Sequence, residues 1–131
     1  MGHSNGAMMV QRLACETRLF AAIVPISGPL NLPAERCPAA RGQRILAIHG
    51  AADENVPIAG GRGPMGISGV AYASEDHSRR VFETSGATYD LRIIPNADHR
   101  LDNIEAAIEQ TDHRTLQNLA AHFFGLTGEP R

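Results

Sequence analysis

The chain has 131 residues and a mass of 14.0 kDa, which is the size of one domain. Its 43% hydrophobic and 20% charged residues are typical of a soluble globular protein. A net charge of −2 argues against nucleic-acid binding through bulk positive charge. No apolar run approaches the roughly 20 residues that cross a bilayer, and no signal peptide opens the chain. We therefore predict one domain over 1–131 with no nucleic-acid or membrane partner, and leave its compartment open.

The first part of the chain alternates apolar segments with loops. Residues 7–19 carry apolar side chains at helical spacing, which predicts a helix. The short β-branched run 21–27 predicts a buried strand, although Pro25 lacks a backbone donor. Prolines and a glycine make 29–43 an irregular loop, and the apolar run 44–49 predicts a second strand.

The second part repeats the alternation. Residues 51–67 form a long glycine-rich loop. A helix is predicted over 74–85, capped by Ser74 and ending at a glycine. A third strand is predicted over 89–94.

The last predicted element is helical and covers 102–124. Asp102, with Glu105 three residues later, is typical of a capping box. A second cap at Thr111 or Asp112 would divide the segment into two helices. Strands that alternate with helices predict the α/β class, with a short, mostly parallel sheet of about three strands flanked by helices.

The sequence Gly2-His3-Ser4-Asn5-Gly6 fits the pattern G-x-S-x-G directly before a predicted helix. In that pattern a serine lies on a sharp strand-to-helix turn that exposes its hydroxyl, and the flanking glycines let strand and helix approach closely. The helix N-terminus stabilises developing negative charge. We therefore predict Ser4 as a nucleophile and the backbone N–H of Asn5 as an oxyanion donor.

An acid and a histidine follow the later strands. Asp53 comes after the strand at 44–49, and His99 comes after the strand at 89–94. Because the carboxyl ends of parallel strands share one edge of a sheet, these residues are expected to converge with Ser4. Serine, acid and histidine in that order predict a nucleophile, an orienting carboxylate and a general base.

Cys15 and Cys37 are the only cysteines, and from the residues alone a disulfide and two buried thiols are both open.

The segments GHSNGAMMVQRLACE, HGAADENVP, GGRGPMGISGV and NADH resemble the polyhydroxybutyrate depolymerase/feruloyl esterase-like group of α/β hydrolases. The resemblance covers residues 2 to roughly 126.

This resemblance implies an α/β-hydrolase fold and hydrolysis of carboxylic esters. We expect no cofactor and no metal site. It assigns the nucleophile, acid and base to Ser4, Asp53 and His99, and it favours pairing of Cys15 with Cys37. The implied substrates are short-chain or aryl esters, with polyester and feruloyl esters included.

Members of this group have several strands and helices before the serine turn, whereas this chain begins at the turn. We therefore expect an N-terminally truncated domain that corresponds to the C-terminal part of such a hydrolase. The loop that normally supplies a second oxyanion donor is absent from the sequence, and losing one donor costs about 10²–10³ in turnover. The alternative is accordingly a non-catalytic, self-associating remnant, and a third possibility is another hydrolase or acyl-transfer reaction.

Several other histidines have structural explanations. His3 either lines the site beside the serine or, as we expect, is a spacer that faces the strand. His49 is expected to bond to the backbone. The remaining three lack the spacing of metal ligands, namely His77, His113 and His122.

Two acids compete with Asp53 for orienting His99. Asp98 is the neighbour of the histidine, and Glu54 is the neighbour of the aspartate. Residues adjacent in sequence rarely reach each other's ring nitrogens, so Asp53 is the preferred acid.

Two further features lie near the motifs. Met8 and Met9 could contact an acyl chain, but we expect them in the helix core. The glycines over 60–66 lack the Gly-Lys-Ser/Thr ending of a phosphate loop, so we expect a mobile loop near the acid that shapes the cleft.

The expected truncation predicts self-association. The strand at 21–27 should pair with the strand that leads into the serine, which this chain is expected to lack. Without that neighbour it would expose unpaired backbone groups and an apolar flank. We expect a homo-oligomer, a two-fold dimer, that covers this edge. Light scattering at micromolar concentration measures the mass, and a strictly monomeric species would contradict the prediction.

Overall fold

A parallel β-sheet organises the computed structural model, which describes residues 1–66 and 69–126. The strands are β1 (Gly2–His3), β2 (Ala22–Ile23), β3 (Pro25–Ile26), β4 (Arg44–Gly50) and β5 (Thr88–Ile94). The helices are α1 (Asn5–Glu16), α2 (Glu75–Thr84), α3 (Leu101–Asp112) and α4 (Leu116–Phe123), with a 3₁₀ turn at Pro38–Ala40. Within this described part of the chain, no helix is long and apolar enough to span a membrane.

The strand β4 lies at the centre of the sheet. It pairs with β5 on one side and with both β2 and β3 on the other, and β3 also pairs with β1. All of these pairings are parallel. Ala22 pairs with Arg44 and Ile26 pairs with Ile48, so β2 and β3 follow one register and are two halves of one extended segment.

Each face of the sheet buries its own apolar core. Alternate residues of β4 point to opposite faces, so Ile45 and Ala47 pack with α1 and α2, while Ile48 packs with α3 and α4. Among the described residues, the first core also contains Phe82, Tyr89 and both cysteines, and the second contains Ile26, Ile104, Ile108 and Leu116. Helices on both faces of a parallel sheet make this an α/β structure, as the alternating pattern predicts.

The number of strands differs from the prediction of about three. The segment predicted as one strand over 21–27 divides next to Pro25, which has no N–H to donate to a ladder. In addition, Gly2–His3 forms a short strand beside it, with the Gly2 N–H donating to the Val24 carbonyl at 3.2 Å. The expectation that 21–27 has no neighbour on this side is therefore wrong, while the dimer stays a prediction.

Two helix boundaries also differ from the sequence predictions. The helix predicted over 7–19 begins at Asn5, directly after the serine, and ends at Glu16. The capping box at Asp102 does not form, because α3 begins at Leu101 after an uncapped Arg100. The Asp102 carboxylate accepts from the Arg100 guanidinium at 2.6 and 3.0 Å instead of from backbone N–H groups.

The C-terminal helical segment divides as predicted, but at another cap. The first helix ends at Asp112, and His113 adopts the left-handed conformation with φ 57°. Thr115 caps α4 by accepting from the Asn118 N–H at 3.1 Å, so the predicted caps at Thr111 and Asp112 are wrong. The predicted cap of α2 is confirmed, since Ser74 Oγ accepts from the His77 N–H at 3.0 Å.

Cys15 and Cys37 form a disulfide, which resolves the alternative of two free thiols. The bond joins the last turn of α1 to the loop before the 3₁₀ turn, and both half-cystines are buried. It therefore anchors the helix that follows the serine to the irregular loop over 29–43.

We predict that this disulfide stabilises the protein by about 3 kcal/mol, because it closes a 22-residue separation and so restricts the unfolded chain. Urea unfolding of the Cys15→Ala/Cys37→Ala double variant measures the loss. Reductant should lower the midpoint of the wild type and leave that of the double variant unchanged. A wild type that does not respond to reductant would contradict the prediction.

Candidate active site

Ser4 occupies a strained turn between β1 and α1. Its backbone has φ 58° and ψ −116°, a conformation that a residue with a Cβ atom adopts only at a cost. The Ser4 N–H donates to the Ile26 carbonyl at 2.8 Å, which continues the pairing of β1 with β3. The turn therefore places the hydroxyl at the carboxyl end of the sheet, as the G-x-S-x-G pattern predicts.

Close backbone contacts impose this turn. A Cβ atom on Gly2 would lie 2.4 Å from the Gly6 carbonyl oxygen, and one on Gly28 would lie 2.7 Å from the Ser4 carbonyl oxygen. A Cβ atom on Gly6 would meet nothing within 4 Å. The expectation that both flanking glycines are needed for close approach holds for Gly2 and is wrong for Gly6.

His99 connects Ser4 to Asp53. The Ser4 hydroxyl donates to His99 Nε2 at 2.9 Å, and His99 Nδ1–H donates to Asp53 Oδ2 at 2.8 Å. The Asp53 side chain is fully buried, whereas that of His99 remains 19% exposed. The three residues that the sequence places in three separate segments therefore form one hydrogen-bonded chain that ends at the surface.

Asp53 is held as a carboxylate by hydrogen bonds on both oxygens. Oδ1 accepts from the N–H groups of Asn55 and Val56 at 2.9 and 2.8 Å. Burial by itself raises the pKa of Asp53, but hydrogen bonds from His49, His99 and Val56 outweigh it and hold the pKa well below its usual range. Asp53 is therefore ionised at neutral pH.

The loops that follow β4 and β5 are tied together, which brings Asp53 to His99. The Ala52 N–H donates to the Ala97 carbonyl at 2.9 Å. A Cβ atom on Gly50 would lie 2.3 Å from the same oxygen, so the loops can approach this closely only because residue 50 is glycine.

His3 contacts the backbone of the histidine that binds Ser4. His3 Nε2–H donates to the His99 carbonyl at 2.8 Å, and the two rings lie 5.2 Å apart. The expectation that His3 is a spacer facing the strand is therefore wrong. Its ring helps to hold the His99 main chain in place.

His49 bonds to the backbone as predicted, through Nε2–H to the Val56 carbonyl at 2.7 Å. The same nitrogen lies 3.2 Å from Asp53 Oδ2, and Nδ1 lies 3.5 Å from Glu75 Oε2. Sequence reasoning missed Glu75, because an acid in the first turn of a helix is typically an exposed residue that interacts with the helix dipole. Here Glu75 lies on the inner face of α2 and is only 1% exposed, whereas the next residue, Asp76, is exposed.

The competing acids do not reach His99. Asp98 Oδ1 accepts from the Arg100 N–H at 3.0 Å and from Asn103 Nδ2 at 2.9 Å, which orients it toward the start of α3. Glu54 is exposed.

Within residues 1–66 and 69–126, no three His, Cys, Asp or Glu side chains are grouped so that they could hold a metal ion.

A cleft of about 510 Å³ opens beside Ser4 and His99. The other described lining residues are Asn5, Met8, Asn31, Asn55, Val56, Gly66, Val70 and Tyr72. Met8 therefore faces the cleft and Met9 is 58% exposed, so the expectation that both lie in the helix core is wrong. Gly66 brings the glycine-rich loop to the cleft, in agreement with the expectation that this loop shapes it; residues 67–68 lie outside the described residues.

Asn5 is the first residue of α1 and borders the cleft. The first N–H groups of a helix have no acceptor within the helix and carry its partial positive charge. The Asn5 N–H therefore lies where an anion beside Ser4 would be stabilised.

Comparisons of the chain with models of protein families, with curated proteins and with solved structures found no match.

The two glycines of the serine turn give a matched test of its geometry. We predict that Gly2→Ala lowers the free energy of unfolding by about 1–3 kcal/mol, because the new methyl group overlaps the Gly6 carbonyl. Gly6→Ala should leave it unchanged or raise it by about 0.5–1 kcal/mol, because the site is open and helical. Urea unfolding measures both variants, and equal midpoints would contradict the steric explanation.

Proposed function

We propose that this protein is a serine esterase of the α/β-hydrolase class, which hydrolyses carboxylic esters through an acyl-enzyme. The observation that carries the proposal is the continuous chain from Ser4 Oγ through His99 to Asp53 at the edge of a cleft. The order serine, acid, histidine along a parallel sheet supports the fold class.

The acylation step uses His99 as a general base. Ser4 Oγ attacks the ester carbonyl carbon while His99 Nε2, 2.9 Å away, takes the hydroxyl proton. The carbonyl oxygen becomes an oxyanion, which the Asn5 N–H at the helix N-terminus stabilises. Asp53 remains a carboxylate and stabilises the imidazolium that forms on His99.

The remaining steps return the proton. As the tetrahedral intermediate collapses, His99 Nε2 gives its proton to the leaving alkoxide, and an ester between the acyl group and Ser4 remains. His99 then takes a proton from a water molecule that attacks the acyl carbon. The acid leaves, and Ser4 Oγ recovers a proton from His99. The cycle consumes one ester and one water and needs no cofactor.

The cleft supports esters of short-chain or aryl type. Its volume of about 510 Å³ lies within the range of small-molecule sites. Apolar surface from Met8, Val56 and Val70, with the ring of Tyr72, would contact an acyl or aryl group, and asparagine side chains would contact its polar atoms. Polyester segments and feruloyl esters belong to the same chemical class.

We predict that the wild type hydrolyses p-nitrophenyl acetate and that Ser4→Ala lowers kcat/KM by at least about 10³-fold, because the variant cannot form the acyl-enzyme. Release of p-nitrophenol measures the rate. A fluorophosphonate probe should label the wild type once per chain, at Ser4, and leave Ser4→Ala unlabelled.

Ser27 provides a matched control. It also has a positive φ, of 59°, and its buried Oγ has no hydrogen-bond partner in the described structure. Ser27→Ala should therefore retain hydrolysis and labelling. Equal rates for the wild type and Ser4→Ala would overturn the proposal, and folded wild type that is neither labelled nor active would favour the non-catalytic alternative.

A further inference from the structure

Behind Asp53 lies a second histidine–carboxylate pair that the proposed reaction does not use. His49, at the end of β4, has no solvent exposure, and Glu75, at the start of α2, is 1% exposed. Buried ionisable groups are costly unless they are paired. A buried pair of titratable side chains inside a domain of this size therefore calls for a role that offsets its cost.

The His49 ring lies between two carboxylates. Nε2, which donates to the Val56 carbonyl at 2.7 Å, also lies 3.2 Å from Asp53 Oδ2. Nδ1 has no hydrogen-bond partner in the described structure and lies 3.5 Å from Glu75 Oε2, at ion-pair distance. On the far side, the Tyr89 hydroxyl donates to the same Glu75 oxygen at 3.5 Å. Carboxylate, imidazole, carboxylate and imidazole thus follow one another from Glu75 to His99.

The carboxylates on either side of His49 favour an imidazolium at this position. Burial by itself lowers the pKa of His49, but the neighbouring carboxylates of Asp53 and Glu75 outweigh it and raise the pKa to about 9. The groups that face the ring are Asp53 from the loop after β4, Glu75 from α2 and the Val56 carbonyl. Glu75 in turn contacts Tyr89 on β5, and burial and the Glu75 charge raise the pKa of the Tyr89 hydroxyl.

We propose that His49, held by Glu75, is a positioning residue that fixes Asp53 Oδ2 toward His99. The inference rests on the proposed function for its effect on turnover, but not for its effect on the hydrogen bond. Both Asp53 oxygens are then engaged: Oδ1 accepts from two backbone N–H groups, and Oδ2 accepts from His99 and lies 3.2 Å from the His49 imidazole. Without His49 the carboxylate keeps its backbone bonds but loses the cation that fixes its second oxygen.

The kinetic test uses variants that preserve volume. His49→Gln and Glu75→Gln should each lower kcat for p-nitrophenyl acetate by about 10- to 100-fold, by analogy with groups that orient a functional histidine from behind, and leave KM nearly unchanged. Tyr89→Phe is the matched control, because it removes a buried hydroxyl from Glu75 without touching His49 or Asp53. It should retain kcat within about twofold.

The spectroscopic test does not depend on hydrolysis. In nuclear magnetic resonance spectra, His49 should carry protons on both ring nitrogens up to about pH 8 in the wild type and lose one at lower pH in Glu75→Gln. The His99 Nδ1–H resonance, which reports the bond to Asp53, should shift upfield in His49→Gln and Glu75→Gln but not in Tyr89→Phe. Thermal unfolding and circular dichroism establish that each variant is folded, and Glu75→Gln provides the readout if His49→Gln does not fold.

The outcomes separate this inference from the proposed function. An unchanged His99 resonance in folded Glu75→Gln, or a neutral His49 at pH 7 in the wild type, overturns the positioning role even if the protein is an esterase. Shifted resonances in a wild type without esterase activity support the positioning role and contradict the proposed function alone.

Discussion

A buried carboxylate at the end of the central strand is the constraint on which the rest of the candidate site depends. The Asp53 side chain is fully buried, so its carboxylate oxygens must accept hydrogen bonds from donors within the protein. The Asn55 and Val56 N–H groups supply two donors through the turn of the loop itself. Imidazoles supply the others, and one of them, His99, reaches Ser4.

Backbone packing decides whether those imidazoles are within reach. The loops after β4 and β5 approach at Gly50, and β1 approaches α1 at Gly2, in both cases at distances that exclude a Cβ atom. His3 then holds the His99 carbonyl from the side of the serine turn. The candidate site is therefore assembled by contacts between main chains, and its side chains lie in the short segments that follow the strands β1, β4 and β5.

Local sequence patterns predicted the helices better than their ends. Apolar spacing located α1, but its start at Asn5 depends on the turn at Ser4, where β1 pairs with β3. The cap at Ser74 formed because a hydroxyl that precedes a helix has its acceptor close to the backbone donors. The capping box at Asp102 did not form because α3 begins one residue earlier, at Leu101, which puts Asp102 inside the first turn, where its carboxylate binds the Arg100 guanidinium.

The sequence by itself determined the α/β class, because apolar strands alternate with helices along the chain. It also determined Ser4, Asp53 and His99 as the candidate site residues, because one lies in a G-x-S-x-G pattern and the others lie just after predicted strands. Only the tertiary structure decided that the three side chains meet at hydrogen-bond distance, that His3 bonds to the His99 carbonyl, and that Glu75 lies behind His49. The reason is that a sequence pattern has the period of one strand or helix, whereas burial and the pairing of charges depend on elements distant along the chain. Glu75 is the clearest case: its place at the start of a helix is local, but its burial against β4 and β5 is a property of the whole fold.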